Sequence, residues 1–138
     1  YSLLCRLYDT DLAELSVNEE VGLIAFSPLA AGLLTGKYQG SVTPAGSRKT
    51  FAADLGGRTT QRVWPAVDAY GQIAAKHEVD IVHMSLAWCL TRPFMCSVIF
   101  GATRHAQLEH ILKTTDVALS AECLTDIAEA HRSHPMPF

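Results

Sequence analysis

Two short segments concentrate the residues that could do chemistry. The first runs Ala25-Phe26-Ser27-Pro28-Leu29-Ala30-Ala31-Gly32-Leu33-Leu34-Thr35-Gly36-Lys37-Tyr38. Its small residues permit close backbone approach, and Lys37 supplies a cation. A phosphate-bearing ligand needs both at the carboxyl end of a parallel strand. The second runs Gly101-Ala102-Thr103-Arg104-His105-Ala106-Gln107-Leu108. Here a strand-ending glycine feeds a helix whose first turn offers free N–H groups and a partial positive charge. Thr103 adds a hydroxyl donor, and Arg104 adds a guanidinium fork that matches phosphate geometry. Taken singly, the first segment reads equally well as a strand turn with a surface lysine, and the second as a helix cap with a solvated arginine. On successive strands of one parallel sheet, they point to an anionic cofactor.

Other chemistries lack support. Gly32 and Gly36 stand one residue too close for a phosphate loop of the nucleotide-hydrolase type, and Tyr38 occupies the place of its metal-binding Ser or Thr. No G-x-G-x-x-G follows a strand, and no G-x-S-x-G elbow exists. The six histidines (His77, His83, His105, His110, His131, His134) show no metalloprotease spacing, so structural or solvated roles are expected and no metal. Cys5, Cys89, Cys96 and Cys123 form no C-x-x-C pair and read as reduced, mostly buried thiols. Trp64 and Trp88 read as packing residues, and Asp116, Glu122, Asp126 and Glu129 as a solvated acidic face.

The elements that must position the two segments follow from patterning. Tyr1–Leu4 is a candidate strand. A short helix is expected over 11–20, with Gly22 just past its end in a left-handed conformation. Leu23-Ile24-Ala25-Phe26 is an unalternated apolar run, as a strand covered on both faces requires. A long loop covers about 40–58, and helices are expected over 60–77 and 80–91, the latter capped by Asp80. Ser97-Val98-Ile99-Phe100 is a second apolar run. Helices over 106–114 and 120–130 follow, the last capped by Ser120, and the tail from His134 is non-helical. Strands alternating with helices indicate an α/β fold with a parallel sheet of about three strands.

The chain has 138 residues, a net charge of −3, 49% apolar and 18% charged residues. That balance excludes a disordered chain and gives no charge-based case for nucleic-acid binding. No window reaches the roughly 18 uninterrupted apolar residues of a membrane span, and no signal peptide is visible, so a cytoplasmic protein without membrane or nucleic-acid partners is expected. Because the chain opens at Tyr1 within strand-like sequence, a piece of a longer protein is expected.

At its two strand-end segments the sequence resembles the aldo-keto reductase superfamily, in its Tas-like and potassium-channel β-subunit-like branch. The resemblance is carried by Tyr1-Ser2-Leu3-Leu4, by Ala25 to Leu29, by Gly32 to Tyr38, by the helix around Ser85-Leu86-Ala87-Trp88-Cys89-Leu90, and by Val98 to Leu108. These segments span essentially the whole chain in the family's order. The resemblance implies the C-terminal portion of a (β/α)8 TIM barrel, about strands six to eight with their helices, over residues 1–138.

The resemblance also implies NADPH as cofactor. Phe26 would stack on the nicotinamide. Ser27, Pro28, Leu29, Ala30 and Ala31 would line the pyrophosphate path, with Lys37 as an electrostatic contact. Arg48 could belong to the loop that folds over the cofactor. Gly101, Thr103 and Gln107 would hold the 2′-phosphate and adenosine end, with Arg104 adjacent. Two positions depart from the family. Ile111 stands where Asn usually contacts adenine, which removes about 1 kcal/mol of hydrogen bonding, and His110 stands where Glu is frequent. The family's catalytic Asp, Tyr, Lys and His lie upstream of the matched region. The implied parent therefore reduces a small aldehyde or ketone by hydride transfer, and this stretch holds cofactor contacts without the acid. The alternatives are a non-catalytic NADP(H)-binding regulatory module and a truncated, inactive fragment.

Overall fold

The computed structural model describes residues 1–138. Two parallel strands, β1 (Leu23–Phe26) and β2 (Met95–Ile99), form the sheet. They pair in the register Leu23–Met95, Ile24–Ser97, Ala25–Val98 and Phe26–Ile99, with an irregularity after Leu23. Five α-helices surround them: α1 (Leu12–Asn18), α2 (Val63–Lys76), α3 (Ile81–Leu90), α4 (His105–Leu112) and α5 (Ala121–Ser133). α2 packs on both α5 and α3, and α3 packs on β2.

Local chemistry sets these boundaries. Asp80 caps α3 by accepting from the N–H groups of Val82 and His83 at 2.8 and 3.2 Å. Ser120 caps α5 through the N–H of Cys123 at 3.1 Å. Pro65 sits in the first turn of α2, where its missing N–H leaves no bond unmade. Arg62 at the head of that helix donates to Pro135 O at 2.9 Å, so the non-helical tail folds back across α2.

Four expectations are corrected. Tyr1–Leu4 is a turn, because Ser2 Oγ accepts from the Leu4 and Cys5 N–H groups and a single antiparallel bridge joins Ser2 to Cys5. Leu3 and Leu4 are buried by that turn in the helical core. The sheet therefore has two strands. Gly22 is not left-handed; Glu20 takes the positive φ of 55°. Gly22 is needed for space, since a Cβ there would stand 2.8 Å from Cys96 Cβ. Lastly, the apolar strands are covered on one face. Ala25 is fully buried, whereas Ile24, Phe26 and Ile99 are 56%, 71% and 54% exposed on the other. An unalternated run shows that both faces tolerate apolar side chains, and here only one finds a partner.

The thiols are all reduced. Cys89 and Cys123 are buried, Cys5 is partly covered and Cys96 is exposed. Burial pushes the Cys89 thiol up to about 12. That keeps it protonated and unreactive at neutral pH.

Candidate functional site

Because β1 and β2 are adjacent and parallel, they end side by side with Phe26 opposite Ile99. Both chemistry-bearing segments therefore leave the sheet at the same rim. A ring at Phe26, mostly exposed, stands at the head of the first.

The turn after β1 has an unusual backbone. Ser27, Ala30 and Ala31 hold positive φ values of 57°, 48° and 58°, and Gly32 follows at 96°. A side chain in this region costs roughly 1–3 kcal/mol, so the surrounding packing must impose the shape. The anchors are Ala30, Leu33 and Leu34, all buried in the main core. Ser27 Oγ accepts from the Ala31 N–H at 3.3 Å and ties the turn across itself. At Gly32 the absent side chain makes room for Lys37, since a Cβ would lie 3.0 Å from Lys37 Cε and 3.1 Å from its Nζ. The Lys37 ammonium thus lies over the turn's own backbone, 5.0 Å from the Tyr38 ring centre.

The second segment is open. Gly101 through Gln107 are exposed, and no hydrogen bond occupies the His105 or Ala106 N–H at the start of α4. Gln107 Oε1 accepts from the Thr103 N–H at 3.0 Å and lies 3.1 Å from the Thr103 hydroxyl, which orders the loop ahead of the helix. Arg104 occupies the N-cap position in extended conformation with its side chain free of the cap.

The two segments are joined beneath the rim. Leu29, from the turn after β1, packs against Val82 and Leu86 of α3 and Ile111 of α4. This contact explains one departure from the family pattern: Ile111 is 7% exposed and serves as core. Ile111 is thus an apolar bolt between the two segments.

Arg48 is the one candidate that no contact ties to the rim. It begins a single 3-10 turn (Arg48–Thr50), is exposed and makes no ion pair. The following residue does the anchoring instead. Lys49 Nζ donates to Ser41 O at 2.8 Å and lies 5.9 Å from the Tyr38 ring centre and 5.3 Å from that of Trp64. Lys49 was legible through charge distribution. The stretches 21–53 and 81–108 carry Lys37, Arg48, Lys49, Arg92 and Arg104 and no acidic residue, although the chain as a whole is net negative. Phosphates would therefore meet little like-charge repulsion at this rim.

The rim suits a phosphorylated ligand with an aromatic ring. The rim offers an exposed aromatic face, a turn of small residues in left-handed conformation, free N–H groups at a helix start and cations on both segments. The strongly perturbed titratable groups lie elsewhere. Burial lowers the Arg6 guanidinium and raises the Tyr70 phenol, both inside the helical core.

Comparison with known proteins agrees with this geometry. The profile of the Aldo/keto reductase family matches residues 1–132. The Protein tas of Escherichia coli (strain K12) is 37% identical over 137 residues, covering 99% of this chain and 40% of that protein. A probable voltage-gated potassium channel subunit beta of Arabidopsis thaliana is 35% identical over 143 residues, covering 98% of this chain and 43% of that protein. The L-glyceraldehyde 3-phosphate reductase of Escherichia coli O157:H7 is 32% identical over 133 residues, covering 92% and 38% respectively. The chain thus spans about two-fifths of the length of these curated relatives. No helix is long and apolar enough to cross a membrane. Matched along nearly its whole length and built around two parallel strands that open at one rim, the chain belongs to the aldo/keto reductase family.

Proposed function

We propose that residues 1–138 form the NADPH-binding part of an oxidoreductase that reduces a small aldehyde or ketone, corresponding to the C-terminal part of a (β/α)8 barrel and contributing two of its strands. The observation that carries this reading is the adjacency of β1 and β2, which delivers the Ser27–Lys37 and Gly101–Gln107 segments to one rim. Bound NADPH supplies a hydride. Phe26 stacks on its nicotinamide face. The Ser27–Ala31 turn and Lys37 take the pyrophosphate, and Thr103, Arg104 and Gln107 take the phosphorylated ribose. Gly101 leaves the backbone at that end open to approach. Arg48 belongs to the covering loop. With Ile111 buried, that position gives the adenine no amide contact. The exposed face of Ile24, Phe26 and Ile99 is the face a closed barrel would turn toward its interior. Catalysis then requires proton-donating residues from the rest of the barrel.

Titration of NADPH fluorescence against the wild-type chain, Lys37→Ala and Arg104→Ala tests this reading. We expect each substitution to weaken binding by about tenfold, the loss of one charge-assisted contact. Affinity unchanged in both would remove the cofactor assignment. A non-catalytic NADP(H)-binding regulatory module is the second reading, favoured by the similarity to a potassium channel β-subunit. Turnover of carbonyl substrates by the full-length protein separates the two.

A further inference from the structure

Outside the rim, two clusters gather imidazole and carboxylate ligands. In the first, His77, Glu122 and Asp126 converge between α2 and α5. That cluster already holds a cation: Lys76 Nζ lies 3.0 Å from Glu122 Oε1 and 2.7 Å from Asp126 Oδ2. In the second, Asp80 and His83 at the start of α3 meet His110 in the last turn of α4. No lysine or arginine forms an ion pair with that carboxylate; the side chain at its Oδ1 is the His110 ring.

The second cluster has the geometry of a metal site. One ring nitrogen from each histidine and a carboxylate oxygen of Asp80 all lie within 4.8 Å of one another. His110 Nε2 and Asp80 Oδ1 are 3.1 Å apart. Two ligands of a tetrahedral zinc with bonds near 2.0–2.1 Å stand about 3.3 Å apart, so this pair is already at ligand spacing. The His83 ring is held from behind, because its Nε2 donates to His110 O at 2.7 Å. Such a bond fixes the tautomer and leaves the lone pair on the other ring nitrogen, as in many metal-bound imidazoles. Asp80 spends Oδ1 on the α3 cap and on His110, and Oδ2 makes no hydrogen bond. The three side chains are partly exposed, so an ion can enter and retain water in its remaining positions.

We propose that Asp80, His83 and His110 bind a divalent first-row transition ion through two imidazole nitrogens and one carboxylate oxygen, with Zn2+ as the probe. On binding, His110 keeps its single ring proton on Nδ1, any second proton passes to water, and the Nε2 lone pair meets the ion where the hydrogen shared with Asp80 now lies. The site would staple α3 to α4 beside the Leu29–Ile111 contact. It does not depend on the cofactor reading.

Calorimetric titration of the full chain with ZnCl2, paired with thermal melting before and after EDTA, tests the proposal. Wild type should bind one equivalent and melt higher with zinc, reversibly with EDTA. His83→Ala and His110→Ala should each weaken binding more than about tenfold. Asp80→Asn should weaken it as well while keeping the helix cap, since Asn caps as effectively as Asp. His77→Ala and Cys96→Ser should bind as wild type. Absence of binding by wild type, or wild-type affinity in both His83→Ala and His110→Ala, would overturn the assignment.

Discussion

The two sides of the β1–β2 sheet are built differently. Behind it, Trp88 is 3% exposed and sits at the centre of a stack. The Tyr1 ring lies parallel to it at 5.3 Å, and the Arg6 guanidinium covers it at 4.2 Å. Phe94 meets Tyr1 edge-on, and Arg92 lies 5.5 Å from Trp88. Tyr70 completes this side, donating to Leu3 O at 3.0 Å. In front of the sheet, Ile24, Phe26 and Ile99 meet solvent. The contrast separates a packed side from an open one. The helical side buries the large aromatic groups and carries the fold. The open face contributes little packing and is free to take a ligand or further strands.

Three substitutions would break or sharpen this contrast. Trp88→Ala should cost about 3–5 kcal/mol, the usual loss for a large buried aromatic, measured by urea unfolding followed by circular dichroism. A loss below about 1 kcal/mol would mean that the aromatic stack is not the centre of stability. Phe26→Ala should change unfolding free energy by no more than about 0.5 kcal/mol, as for a surface site, while weakening NADPH binding. A large stability loss would show that the open face is structural.

The smallest effect is a pH dependence at His131. Burial, then the nearby Arg6 charge, lowers its pKa in the folded chain below the ordinary value of 6.5, and its Nδ1 is buried without a partner. The unfolded chain therefore takes up the proton first as pH falls. The contribution is fully present above about pH 6.5 and is lost on acidification toward the lower folded value. Melting temperatures between pH 8 and 5 should fall less steeply in His131→Gln than in wild type.

Much of this architecture was legible in residue order. The run Leu23–Phe26 is a strand as expected, and Asp80 and Ser120 cap the helices they announce. Those signals are local: side-chain oxygens two or three residues from the N–H groups they satisfy. Tyr1–Leu4 misled because its apolar residues are buried by a turn, and composition alone does not separate a buried turn from a strand. Gly22 misled because close approach to Cys96 depends on a strand more than seventy residues away. The shared rim was inferable from the expected parallel pairing. The meeting of Asp80, His83 and His110 was not, since it depends on how the start of α3 packs against the end of α4.

The left-handed run at Ser27, Ala30 and Ala31 has a consequence for how the protein would fail. Those residues do not favour their conformation by themselves; Ala30, Leu33 and Leu34 hold it from inside the core. A damaged core would therefore let this segment relax while the helices still stand. Warming or a mild lesion at Leu33 should loosen this turn at temperatures where circular dichroism still records an intact fold.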